Sequence, residues 1–117
     1  MLYSSVEQRD ALQMSETVTH RGLLWRWTTP AAPAVWFFVT INGAAGEELS
    51  ATAMLRRLEG AGRGFGSVKV AARIGDSRFQ TSVFPSKELG WLLPIKASIR
   101  KAQGLAEGDL VTVDLEF

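Results

Sequence analysis

A chain of 117 residues, 46% of them apolar and 21% charged, has the size and make-up of one soluble domain with a core of its own. Its thirteen basic and twelve acidic side chains leave a net charge of +1, no apolar run reaches the ~20 residues of a membrane-spanning helix, and no signal-peptide block opens the chain, so a cytoplasmic location is expected. The absence of cysteine excludes disulfides, a thiolate nucleophile and cysteine-ligated metal.

Residues 1–14 are polar, and Ser4 stands three residues before Glu7 in capping-box spacing, so a short helix or a loose tail is expected ahead of one domain over 15–117. From Thr17 the chain alternates. Thr19, Arg21, Leu23, Trp25 and Trp27 fall on one side of an extended strand, with Val18, His20, Leu24 and Arg26 on the other. PAAP (30–33) interrupts it, because proline fixes φ and lacks a donor. AVWFFVTI (34–41) is apolar on both faces and rich in β-branched and aromatic residues, the pattern of a covered central strand.

NGAAG ends that strand, and EELSATAMLRRLEG predicts a helix. Leu49, Ala53, Met54 and Leu58 form its apolar stripe, Glu47 and Glu48 lie at its start, Arg56 and Arg57 at its end, and Gly60 serves as C-cap. GAGRGFG (60–66) reads as a flexible link. In SVKVAARIGDSRFQTSVFP, Val68, Val70, Ala72 and Ile74 alternate with Lys69, Ala71 and Arg73, and Gly75-Asp76 turns the chain into a second run with Phe79 and Val83, a β-hairpin.

A short strand around Trp91–Leu93 then meets Pro94, placed in the first turn of a second helix whose stripe is Ile95, Ile99 and Ala102, with Lys96 and Arg100 on another face. Gly104 is the expected C′ residue and Leu105 the hydrophobic partner of a Schellman ending. LVTVDLEF closes the chain with Val111, Val113, Leu115 and Phe117 facing in. Six strands and two short helices predict a mainly β domain: a small, mostly antiparallel barrel or pseudobarrel with helices at its ends.

RGLLWRW (21–27), AVWFFVTI (34–41), GFGSVKVAARIGDSRFQTSVFP (64–85) and WLLPIKASIRKAQGLAEGDLVTVDLEF (91–117) together resemble a bacterial family known as domain of unknown function number nineteen-oh-five. The resemblance runs from about Thr17 to Phe117 and departs from the family pattern at NGAAGEEL, after the second strand. It implies a double-split β-barrel, the fold group of the AbrB- and MazE-like regulators. It implies no activity, since a shared fold transfers none.

Charge is unevenly spread. Residues 56–101 hold ten basic residues against three acids, and residues 102–117 hold four acids and no base. Such a block is either a phosphate-attracting surface or the complement of an acidic strand folded beside it. His20 is the only histidine and has no acidic residue near it in sequence, which argues against a serine triad, and one histidine without cysteine argues against zinc or iron. GAGRGFG lacks the Lys-Ser/Thr ending of a phosphate loop and opens a strand. The four tryptophans are expected to fill the barrel; an exposed Trp25/Trp27 face would instead offer bases a stacking surface.

No catalytic residue, metal ligand or cofactor is therefore expected. The polar residues best placed to hold a ligand are Thr81, Ser82, Lys96 and Arg100; a nucleic acid would be met by Lys69, Arg73, Lys96, Arg100 and Lys101. The leading expectation is a non-enzymatic binding or interaction module, monomeric or homodimeric, with a protein or nucleic-acid partner and no membrane. A nucleic-acid-binding regulator of the AbrB/MazE-like kind stands second, and a small-ligand binder or enzyme using the barrel mouth stands third.

Overall fold

Eight elements follow one another through residues 17–60 and 66–117, the part of the chain that the computed structural model describes. They are β1 (Thr17–Thr29), β2 (Ala32–Ile41), α1 (Gly43–Leu58), β3 (Val68–Ile74), β4 (Ser77–Ser86), β5 (Gly90–Pro94), α2 (Ala97–Gln103) and β6 (Leu110–Glu116). The N-terminal segment 1–14 and most of the 60–66 link lie outside the described residues.

The six strands close into an antiparallel barrel in the order β1-β2-β5-β4-β3-β6. The long first strand makes closure possible: its first half pairs with β6, from Thr17↔Glu116 to Leu23↔Leu110, and its second half with β2, from Leu24↔Val39 to Thr29↔Ala32. Side chains alternate across each strand, so register decides what fills the interior. Leu24, Val39 and Leu93 form one buried row across β1, β2 and β5, and half-buried Val18 with buried Leu115 and Ala72 forms another across β1, β6 and β3. The expected inward residues Val68, Val70, Ala72, Ile74, Phe79, Val83, Val111, Val113, Leu115 and Phe117 are all buried.

The hairpin turn at Gly75-Asp76 holds Gly75 at φ +60°, which a glycine adopts without strain. Gln103 at the end of α2 reaches back to it, its Nε2 donating to Asp76 Oδ1 and Ser77 Oγ at 2.8 Å each. The Schellman ending of α2 is present as expected: Gly104 has φ +63°, Leu105 N–H bonds Arg100 O at 2.8 Å, and Gly104 N–H bonds Lys101 O at 3.3 Å.

Both helices differ from their sequence reading. Helix α1 begins at Gly43, four residues before Glu47, so no acid lies in its first turn. It meets the barrel through buried Ala45, Gly46 and Leu49 and half-buried Ala53, and Trp91 Nε1 of β5 donates to Ser50 Oγ at 3.0 Å. Met54 and Leu58, expected in the apolar stripe, stand 60% and 77% exposed. Helix α2 begins at Ala97, because Pro94 ends β5, and Ile95 and Lys96 remain extended. Ile95 is buried as a continuation of the strand, its N–H bonded to Phe37 O at 2.9 Å, while Ala102 faces solvent.

Part of the basic block is answered within the barrel. Arg73 and Asp114 are direct partners across β3 and β6, with Arg73 Nη2 donating to Asp114 Oδ2 at 2.5 Å, and Thr19 Oγ1 on β1 donates to Asp114 Oδ1 at 2.6 Å. Arg26, outside that block, lies 3.7 Å from Glu107. The Thr19 hydroxyl first, and Arg73 second, hold the Asp114 carboxyl below its ordinary value of 3.8. Because the folded value is the lower one, the stabilisation is present above pH 3.8 and lost as pH falls through the folded value. Asp114→Asn should therefore lower the urea midpoint at pH 7 and leave a smaller difference from the parent at pH ~2. An equal difference at both pH values would refute this linkage.

Candidate ligand-binding cleft

Strand β5 has five residues, too few to separate its longer neighbours along their whole length. It pairs with β2 only over Phe38–Ile41 and with β4 only over Phe84–Ser86. The Phe84↔Leu92 register, carried two residues further, sets Pro94 opposite Ser82, and proline has no N–H with which to extend the ladder. Beyond Pro94 the chain leaves the wall to form α2. A cleft of about 1140 Å³ opens there, with Ala34–Phe37 of β2 on one side and Lys69–Ala71 and Gln80–Ser82 of the hairpin on the other. Pro94–Ala97 and Arg100 form its floor.

Of the residues singled out from sequence, Thr81, Ser82, Lys69, Lys96 and Arg100 all line this cleft. Lys69 and Ser82 are direct cross-strand partners, as are Val70 and Thr81. Arg73 and Lys101 lie elsewhere: Arg73 is paired with Asp114, and Lys101 is exposed on α2 outside the lining. The lining residues include three cations and no carboxylate.

Arg100 is the most constrained of the cations. Its guanidinium carbon sits 3.8 Å from the centroid of the Phe37 ring, and its Nε donates to Ile95 O at 3.2 Å. Ring and carbonyl use one face and one donor of the fork; its terminal amino groups bond nothing among the described residues. A planar cation held in this way is suited to bidentate recognition of a carboxylate or phosphate.

The aromatic part of the cleft was not read as part of a site in the sequence. Trp36 and Phe84 are outward-facing and exposed, and Phe37 faces inward where β5 no longer covers it. The signal lay in Pro94, which ends a strand here and thereby uncovers Phe37. The tryptophans also correct the expectation of a tryptophan-filled barrel. Trp91 is buried and Trp25 half-buried, its Nε1 donating to Thr40 Oγ1 at 2.9 Å, but Trp27 and Trp36 are 45% and 47% exposed. They are direct partners on the outer face of β1 and β2, where Trp36 stacks on Phe38 at 6.1 Å between centroids. The small barrel is filled mostly by aliphatic side chains, with Phe79, Trp91 and Phe117 among the buried rings, and Trp27 and Trp36 stay outside.

His20 is half-buried, with Nε2 donating to Thr40 O at 2.9 Å, an anchor between β1 and β2. Among the described residues no group of three or more His, Cys, Asp or Glu could hold a metal ion, and no helix is long and apolar enough to cross a membrane. No curated protein matches the chain. A model for the domain of unknown function DUF1905 matches residues 21–115, which include every strand of the barrel at least in part and all the lining of the cleft, and the chain belongs to that family.

Proposed function

We propose that this domain is a non-enzymatic binding module whose ligand presents anionic groups to the cleft between β2 and β4. The observation that carries the reading is Arg100, fixed on Phe37 and Ile95 O with two terminal amino groups unbonded among the described residues, beside Lys69 and Lys96 in a cleft whose described lining has no carboxylate. Cations gathered without acids raise the local concentration of an anion and hold it by charge-assisted hydrogen bonds. Thr81, Ser82 and Gln80 add neutral polar groups, and Trp36, Phe37 and Phe84 an apolar surface, the mixture typical of organic ligand sites. No histidine or carboxylate stands in the lining to take a proton from Thr81 or Ser82, which supports binding over catalysis.

Titration with benzoate and with phenyl phosphate should shift the Arg100 Nε–H and Trp36 indole resonances saturably, and added salt should weaken the effect. Arg100→Ala should weaken binding at least ~tenfold, since a charge-assisted bond contributes about 1.5–3 kcal/mol. Unchanged affinity in that variant, or no saturable shift with either anion, would sink the proposal. So would a turnover of the bound compound that one polar substitution abolishes.

A second reading, binding of a single-stranded nucleic acid, draws on the exposed Trp36 and Phe84, which line the cleft with Lys69 and Lys96, and on Trp27, the cross-strand partner of Trp36. It loses Arg73, whose charge is met by Asp114. Affinity for an oligothymidylate should fall linearly in log–log form with salt; a flat response removes this reading.

A further inference from the structure

The cleft is bounded by backbone as well as by side chains, and that backbone has a defined polarity. In an antiparallel ladder the N–H and C=O of one residue point to the same side, and those of the next to the opposite side. On β4, the tight turn closed at Ile74↔Ser77 directs the odd-numbered residues towards β3. The N–H and C=O of Gln80 and Ser82 therefore face the cleft, where β4 has no partner strand because its ladder with β5 stops at Phe84. On β2, the bond from Ile95 N–H to Phe37 O sets the odd-numbered residues towards the cleft, so Val35 presents its N–H and C=O from the other wall.

Unpaired strand edges accept further strands unless something blocks them. The usual blocks on β4 would be a proline or an inward-pointing charge, and over Gln80–Ser82 there is neither. The same edge lies beside Lys69, directly across from Ser82, and opposite Lys96 and Arg100. We propose that the cleft takes an extended acidic peptide, which adds to β4 at Gln80 and Ser82, in the gap that opens between β4 and Pro94–Lys96 once the β4–β5 ladder has ended. This rests on the anion-binding reading above and specifies its ligand.

Added to β4 in the sense that β5 has, the peptide runs antiparallel to it. Its alternate side chains point inward to Arg100 and Phe37 and outward past Lys69, so glutamate or aspartate on either face meets a cation. At a strand spacing of ~4.8 Å, a layer spacing of ~10 Å and a rise of ~3.3 Å, each peptide residue needs roughly 160 Å³. A cleft of about 1140 Å³ thus has room for a segment of up to about seven residues. Backbone pairing supplies affinity without demanding a sequence, and the cations select for acids.

The test uses the full chain and an acetylated, amidated hexapeptide of alternating valine and glutamate, followed by the fluorescence of the tryptophans. The proposal expects saturable binding, competition by benzoate, no binding of the valine–lysine counterpart, and at least a ~tenfold loss when alternate peptide nitrogens are methylated in one of the two registers. Ser82→Pro removes the cleft-facing donor while sparing the β3 ladder, so it should abolish peptide binding; the methylated peptides give the same reading on the parent protein if that variant fails to fold. Equal affinity of both methylated registers and the parent peptide overturns strand addition. Benzoate binding without peptide binding, or oligothymidylate binding in place of the peptide, also overturns it and leaves the anion site standing. Failure of benzoate and peptide alike removes the anion-binding reading itself.

Discussion

Gly90→Ala should lower Tm by roughly 10 °C or more, corresponding to about 3 kcal/mol in a domain of this size. Two separate effects converge on this residue at the start of β5. Its φ of +109° lies where L-residues are rarely found. A Cβ there would also stand 2.8 Å from the carbonyl oxygen of Ile41 and 3.4 Å from the Asn42 Cβ. The obstacle is backbone, and Ile41 cannot give way easily because it is fully buried and paired with Trp91. Gly43→Ala provides the comparison. Gly43 has φ +62° with nothing within 4 Å of the added carbon, so that change should cost only about 1 kcal/mol. Equal losses in the two variants, measured by thermal unfolding, would show that the close approach to Ile41 contributes nothing.

Residues that obey one period were legible in the sequence, and residues that serve two elements were not. Val68 to Ile74 and Val111 to Phe117 alternate cleanly and are buried where alternation places them. Gly104 and Leu105 declared the end of α2 because a left-handed residue followed by an apolar one has few other uses. Pro94 was ambiguous. Proline suits the first turn of a helix and the end of a strand equally, and only the pairing of Pro94 with Phe38 of β2 decides between them. The cleft follows from that choice, so its polar members were found one by one while its shape and its aromatic wall stayed hidden. Arg73 was misgrouped for a similar reason: its partner Asp114 is 41 residues away, and the β3–β6 pairing that joins them leaves no trace in local sequence.

Leu93→Ala should cost about 3 kcal/mol, within the range for emptying a leucine site in a closed core, and should disturb the cleft as well. Leu93 is fully buried in the row formed with Val39 and Leu24. It lies one residue before Pro94, on the only strand that joins β2 to β4. The same five residues therefore hold the wall closed on one side of Pro94 and set the width of the opening on the other. A cavity at Leu93 loosens β5, and with it Ile95, whose carbonyl fixes Arg100. Benzoate affinity should consequently drop in the still-folded Leu93→Ala protein, together with a Tm fall of roughly 10 °C. Arg100→Ala should give the opposite balance: loss of binding with a Tm change of only a few degrees, since one hydrogen bond and one cation–π contact contribute about 1 kcal/mol each. Leu93→Met, which conserves volume, should keep both properties within ~1.5 kcal/mol of the parent. If Leu93→Ala loses stability but binds benzoate as the parent does, the cleft is positioned by α2 alone, and β5 serves only to close the barrel.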